Sequence, residues 1–217
     1  MNKKEEPQSQ LIGNYEDKYH STNLISKYLV TNFIKTLESY LGIISPLHLT
    51  RICEIGCGEG EILKLVHKVF PDAEIHAVDI SQEIIEKAKV NCKGISINFS
   101  VQNAENLRCF PDAFFDLVIC TEVLEHLSDP QKGMEELFRI SQNFVLVSVP
   151  NEPIWRILNL MRGRYFRSLG DTPGHLNHWN IFQFPRILRN AAHFKLLSRG
   201  YPFPWQIILM TNKNVEI

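Results

Sequence analysis

Carboxylates and histidines recur in this chain where runs of apolar residues stop. Glu54 lies just ahead of a glycine-rich turn, Asp79 ends the next apolar run, Glu122 and His126 follow a later one, and Asp171, His175 and His178 sit in a turn-rich stretch further on. A carboxylate can accept from two vicinal hydroxyls or face a cation, and a histidine can take up a proton near neutral pH or ligate a metal. Gly56, Gly58 and Gly60 alternate with Cys57 and Glu59. Such a turn permits positive φ and lets a ligand reach the backbone. Asp79 follows about 20 residues later, the spacing at which an acid meets a ribose in nucleotide-binding βαβ units.

These groups need a scaffold, and the apolar pattern supplies one. Arg51–Ile55 reads as a buried strand ahead of the turn. After it, Ile62, Leu65, Val66, Val69 and Phe70 draw one stripe along a helix ended by Pro71. Glu74–Val78 gives a second strand with Asp79 at its carboxyl end, and Ser81 can cap a helix carrying Ile84, Ile85 and Ala88 that closes near Gly94. Ile97, Phe99 and Val101 alternate as a third strand, and Phe115–Cys120 is a central one, apolar apart from Asp116. Asp129-Pro130 starts a helix with Met134, Leu137, Phe138 and Ser141 on one side, and Phe144–Val149 is the fifth strand. In the tail, Phe184–Ala192 reads as a helix, and Lys195–Tyr201 and Trp205–Thr211 as strands. The short link between those two makes them antiparallel neighbours. Ahead of all this, Leu24, Tyr28, Leu29, Phe33, Leu37 and Leu41 predict a helical cap over 15–42 behind a polar leader, 1–12, read as disordered.

Alternating strands and helices imply an α/β, Rossmann-like doubly wound sheet, whose ligands sit beyond the strands' carboxyl ends. The informative segments are therefore Gly56–Gly60, Asp79-Ile80, Gln102–Glu105, Thr121–His126 and the chain from Pro150 onward. With 217 residues, 44% hydrophobic and 22% charged, the chain suits one globular domain over 1–217, without an apolar run long enough to span a bilayer. The first ten residues lack the apolar core of a signal peptide. Five cysteines without a C-x-x-C pair fit reduced thiols in a cytoplasmic protein. The net charge of -1 hides a basic stretch from Trp155 to Trp205, where Arg156, Arg162, Arg164, Arg167, Arg186, Arg189, Lys195 and Arg199 face one acid, Asp171. That stretch suits an anionic ligand, a membrane surface or nucleic acid, or is simply a solvated face.

The glycine spacing separates two cofactors. A dinucleotide site wants its third glycine at position 61, where this chain has Glu61, and the acids Glu59 and Glu61 would repel a pyrophosphate. S-adenosylmethionine carries a sulfonium and an ammonium instead, and acids suit it. The motifs Glu54-Ile55-Gly56-Cys57-Gly58-Glu59-Gly60, Val78-Asp79-Ile80-Ser81, Gln102-Asn103-Ala104-Glu105 and Glu122-Val123-Leu124-Glu125-His126 together resemble the class I S-adenosylmethionine-dependent methyltransferases, especially the small-molecule branch with a V-L-E-H pattern. The resemblance covers roughly 52–150. It implies a mostly parallel seven-stranded sheet of order 3-2-1-4-5-7-6 with the last strand antiparallel. It also implies that Gly56, Cys57, Gly58 and Gly60 hold the methionine portion, that Asp79, with Ile80 beside it, takes both ribose hydroxyls, that Asn103 and Ala104 border adenine, and that Thr121 and Glu122 close the pocket. Many relatives have Asp where this chain has Asn103. Glu54 either faces the ammonium or hydrogen-bonds the turn's amides.

Methyl transfer from a sulfonium is an in-line displacement, so positioning supplies most of the acceleration and a base depends on the acceptor. Candidate bases are His126, His175 and His178, with His126 also readable as a structural residue of its turn. The stretch 150–180 reads as a substrate-side insert or lid. Trp179 could border the sulfonium or a flat substrate, and the apolar helix Ile154–Met161 with its basic end could meet a partly apolar, anionic acceptor or a membrane surface. Histidines at i and i+3 without a further paired ligand are a weak metal pattern, so no metal is expected. The acceptor is expected to be a small molecule taking the methyl on O, N or C. A nucleic-acid acceptor is the competing reading, but no recognisable RNA or DNA module and no N-P-P-Y type motif accompanies the basic stretch. A non-catalytic S-adenosylmethionine-binding protein is the other.

Overall fold

Three strands that read as near-continuous apolar runs form the middle of the sheet, because only a strand covered on both faces can be apolar throughout. In the computed structural model, which describes residues 24–163, 165–189 and 193–215, these are β1 (Arg51–Ile55), β4 (Phe115–Thr121) and β5 (Ser141–Pro150). The half-exposed edge on one side is β3 (Ile97–Val101), reached through β2 (Glu74–Asp79); the other edge holds β7 (Trp205–Asn212) and β6 (Phe194–Gly200). The seven-stranded order is β3-β2-β1-β4-β5-β7-β6. The first five strands pair in parallel, and β7 is antiparallel to both of its neighbours. Both the order and the antiparallel last strand are as expected.

Period-two alternation sorts the strand side chains onto two faces. Ile52, Leu117, Ile119, Leu146, Ile207 and Leu209 belong to one core, under α1 (Leu24–Ile44) and α2 (Glu61–Val69). Cys53, Ile55, Val118, Val145, Val147 and Ile208 belong to the other, under α4 (Pro130–Ile140) and α6 (Gln183–Leu188). Helix α3 (Gln82–Asn91) follows β2 with Ser81 as its side-chain cap, and Asp129 caps α4 ahead of Pro130. In α1, Leu29, Phe33, Leu37 and Leu41 recur every four residues and are buried. Each such side chain contributes about 1.5–3 kcal/mol by leaving water.

The differences from the sequence reading are local. The cap helix is described from Leu24, so the expectations for the leader 1–12 and for 15–23 lie outside the described residues, as does the end of the tail helix at 190–192. Ser141 opens β5 rather than closing α4. There its hydroxyl donates to Phe144 O at 2.7 Å. The stretch after β5 contains α5 (Ile154–Met161), whose one buried residue is Asn159 while Ile157 and Met161 stay exposed. None of the described helices is long and apolar enough to cross a membrane.

Candidate active site at the carboxyl ends of the strands

At the end of β1 the chain leaves the sheet through a turn tied to its neighbour, with the Gly56 and Cys57 amides both donating to Val78 O at 2.7 and 2.9 Å. Gly56 has φ +74, and a Cβ there would overlap the Val123 side chain. Gly58 has φ +53, but its missing side chain would meet nothing within 4 Å. The turn is therefore packed against the protein at Gly56 and open to a ligand at Gly58.

Asp79, buried at the end of β2, fastens this turn to the next helix. Its Oδ2 accepts from Gly58 N at 3.1 Å and its Oδ1 from Ser81 N at 3.0 Å. Ile80 beside it is 47% exposed, unusual for an apolar residue at a strand end. The next loop is tied in by Gln102 N donating to Asp79 O at 3.0 Å. There Asn103 turns its carbonyl oxygen onto Glu105 N at 2.8 Å, leaving its NH2 as the donor for an outside group, and Ala104 is buried.

Glu54 is the outlier of this end of the sheet. It is 1% exposed, and its Oε2 has no hydrogen-bond partner. The amides of Gly56, Cys57, Gly58 and Gly60 go to Val78 O, Asp79 and Cys57 O instead. Burial, reinforced by the nearby Asp79 charge, pushes the Glu54 carboxyl well above the ordinary carboxylate range. Burial likewise raises the thiols of Cys53, Cys57 and Cys120, which stay protonated.

Thr121, the last residue of β4, is buried, and Glu122 after it adopts φ +57, costly for a residue with a side chain. The conformation is held by Glu122 N donating to Ser148 O at 3.1 Å, by Ser148 Oγ donating to Glu122 Oε1 at 3.2 Å, and by Trp205 Nε1 donating to Oε2 at 2.7 Å. A short 3-10 turn over Leu124–His126 follows. The 150–180 stretch is stitched onto it: Glu125 O accepts from Leu176 N at 2.8 Å and Asn177 N at 3.0 Å, and Asn177 Nδ2 donates to Leu127 O at 2.7 Å. His126 Nδ1 lies 2.8 Å from Gly174 O, and the His126 and His175 rings meet edge to face with centroids 4.9 Å apart.

The structure thus brings His126 and His175 together with buried Glu125, while His178 meets the His175 ring edge to face with centroids 6.5 Å apart and turns its Nε2 to Asp171. His178 Nε2 lies 3.0 Å from Asp171 Oδ1, while Arg156 holds Asp171 Oδ2 at 3.1 Å. Burial and the Arg156 charge lower the His178 pKa against the opposing pull of Asp171. Trp179 is a correction: it is a core residue, 9% exposed and packed on Phe184 with centroids 5.5 Å apart. The aromatic faces beside the histidines are Trp155, stacked on His175 at 6.3 Å, and Trp205, between Trp155 and Phe33 at 5.7 and 5.1 Å. Glu125, Trp155 and Trp205 had no assigned role from sequence; the adjacency of Glu125 to His126 was the one available signal.

A family model described as a methyltransferase domain matches residues 53–143, which span β1 to the start of β5. Residues 53–143 are thus similar to methyltransferase domains. Among curated proteins, the chain is 30% identical over 151 residues to a ubiquinone biosynthesis O-methyltransferase of Xanthomonas euvesicatoria pv. vesicatoria, covering 65% of this chain and 62% of that one. It is 35% identical over 86 residues to a malonyl-[acyl-carrier protein] O-methyltransferase of Anoxybacillus flavithermus, covering 40% and 32%. The chain thus spans less than two thirds of the length of either relative. Among solved structures, magnesium protoporphyrin IX methyltransferase from Synechocystis PCC 6803 with bound SAH superposes with a TM-score of 0.67 at 18% identity, covering 90% of this chain and 91% of that one. That likeness concerns the fold.

Proposed function

We propose that this chain is a methyltransferase that binds S-adenosylmethionine at the glycine turn and moves its methyl group to an oxygen of a small-molecule acceptor held under the 150–180 lid. The observation that carries the reading is Glu54, a buried carboxylate with an unpartnered oxygen at the foot of the turn. Such a group is costly unless a cation meets it, and the ammonium of the methionine portion fits. The open side of Gly58 gives the backbone access, Asp79 supplies acceptor lone pairs for ribose hydroxyls, Ile80 offers an apolar face, and Asn103 offers an amide donor beside Ala104.

The bound cofactor supplies a sulfonium methyl whose departure leaves a neutral thioether. The chain's own part is to orient and to exclude water. Thr121 and the strained Glu122 turn, braced by Trp205, close the pocket after β4. His126 is the base nearest that turn: Gly174 O can only accept, so in the neutral ring Nδ1 carries the hydrogen and Nε2 the lone pair. His175 lies against it, whereas His178 braces the lid through Asp171. Oxygen as the accepting atom is supported by the curated relatives, both O-methyltransferases. A partly apolar, anionic acceptor suits the rim, where Met161, Phe166 and Leu169 are exposed near Arg162 and Arg167. Free, mostly buried cysteines fit work in the reducing cytoplasm.

Calorimetry should show binding of S-adenosylmethionine and not of NAD; the reverse would overturn the cofactor. A labelled-methyl screen against a metabolite extract should then yield S-adenosylhomocysteine and one labelled small molecule. Cofactor binding without release of product from any extract would favour a non-catalytic binding protein, and label in nucleic acid would favour the other acceptor class.

A further inference from the structure

We propose that Glu125, His126 and His175 form a binding site for one divalent transition-metal ion, at the seam between the turn after β4 and the 150–180 lid. One ligand-type atom from each of the three side chains falls within 4.8 Å of the other two. Bond lengths of about 2.0–2.2 Å put tetrahedral donors roughly 3.4 Å apart, so the cluster closes on an ion by side-chain shifts of about an ångström. The donor set of two imidazoles and one carboxylate is that of zinc sites which keep a fourth position open, and of iron(II) facial sites.

The surrounding structure is built for ligation. Ligating histidines characteristically give their second ring nitrogen to a carbonyl or carboxylate, which fixes the tautomer and the ring's orientation. His126 does so through Nδ1 and Gly174 O at 2.8 Å, which points the chemistry to Nε2. Gly174 reaches that position with φ +91, a conformation open to glycine. Glu125 and His175 are 1% and 9% exposed. The two segments carrying the donors are locked together by the Leu176 and Asn177 amides on Glu125 O and by Asn177 Nδ2 on Leu127 O, so the histidine from the lid is presented without a loop having to order. Glu122 stands outside the set, since both its oxygens accept from Trp205 and Ser148.

Ion binding stands on this geometry alone; its use in catalysis rests on the methyl transfer proposed above, and in the metal-loaded protein His126 Nε2 is a ligand and does not serve as the base. An acceptor hydroxyl at the open position would give its proton to solvent more readily. Its oxygen lone pair would form the bond to the methyl carbon, and the C–S bonding pair would stay on sulfur as the thioether leaves.

The test is metal titration of the full chain after chelator treatment, in a Cys109→Ser background because Cys109 is exposed and could bind metal adventitiously. One equivalent of Co2+ should give the intense visible bands of a four- or five-coordinate N/O site, and one equivalent of Zn2+ should abolish them. Competition with a chromogenic chelator should show Glu125→Gln and His175→Gln each weakening Zn2+ by more than about tenfold, with His178→Gln unchanged. A Co2+ spectrum of the hydrated ion, or Zn2+ stoichiometry unaltered by both ligand substitutions, would overturn the site. The wild-type Co2+ spectrum decides even if a variant fails to fold. Calorimetry with S-adenosylmethionine on metal-free protein separates the two readings: loss of cofactor binding with Zn2+ retained overturns the function and not the site, and the converse overturns only the site.

Discussion

Replacing Glu54 by Gln should weaken cofactor binding and strengthen the empty protein, and the two effects should cross with pH. A carboxylate and an ammonium about 4 Å apart attract by about 4 kcal/mol at an effective dielectric near 20. Stripping water from the ammonium takes back part of this, and breaking buried charge pairs costs about 2–5 kcal/mol in practice. Here the lower end applies, because Asp79 remains as a neighbouring negative charge and because Glu54, whose carboxyl is raised by burial, must first give up its proton. The expected loss is about 2–3 kcal/mol, or roughly 30- to 150-fold in Kd. Stability runs the other way. A carboxyl raised in the folded state favours folding in its protonated form, an advantage fully present below the ordinary value of 4.5 and lost as pH rises through the folded pKa. Gln does not titrate, so the Tm of Glu54→Gln should gain on wild type as pH rises through that window, by about 2–4 °C for each kcal/mol. Wild-type affinity should rise with pH over the same window, because the cation selects the ionised form, and the variant's affinity should be flat. Calorimetry and thermal melts at several pH values measure both. Equal affinities at pH 8, or a variant less stable there without ligand, would refute the assignment of Glu54 to the cation.

Gly56→Ala should cost about 2–5 kcal/mol of stability, from positive φ and overlap with Val123, while Gly58→Ala should cost only about 1–2 kcal/mol yet abolish cofactor binding measured by calorimetry. Asp79→Asn should lower cofactor affinity at least about tenfold, the equivalent of one lost charge-assisted hydrogen bond; unchanged affinity would remove the ribose contact. Trp205→Phe leaves Glu122 Oε2 without its indole donor and should lower Tm by about 4–8 °C, for a loss of about 2 kcal/mol. His178, lowered in the folded state, contributes stability above the ordinary histidine value of 6.5 that is lost as pH falls toward its folded pKa. His178→Gln should therefore flatten the acid limb of a Tm–pH curve below that value, and an unchanged limb would assign the slope to other groups.

The glycine-turn end of the sheet was legible in the sequence because its constraints are local. Positive φ at Gly56, Gly58 and Gly60, an acid closing β2, and strands apolar on both faces are written in neighbouring residues. The placement of β7 between β5 and β6 was legible only through family resemblance, since nothing in the pattern of a short apolar strand says which edge it joins. The 150–180 stretch was legible in composition but not in arrangement. His175 and His178, three residues apart, diverge to different partners because the loop carrying them is in neither a helix nor a strand, and so has no fixed period.

What the sequence by itself determined is the parallel α/β scaffold and the segments that line its carboxyl edge, through periodicity and backbone permissiveness, which act over a few residues. What tertiary structure alone decided is which distant groups meet. Trp205 reaches Glu122 across 83 positions because β7 lies beside β5. His126 meets Gly174 and His175 across 48 and 49 positions because the backbone amides of Leu176 and Asn177 settle on Glu125 O. Trp179, read as a ligand face, went to the core, and Trp155 took its place beside the histidines. Side-chain partners at such separations are chosen by sheet register and loop closure, and neither is encoded in the spacing of the residues themselves.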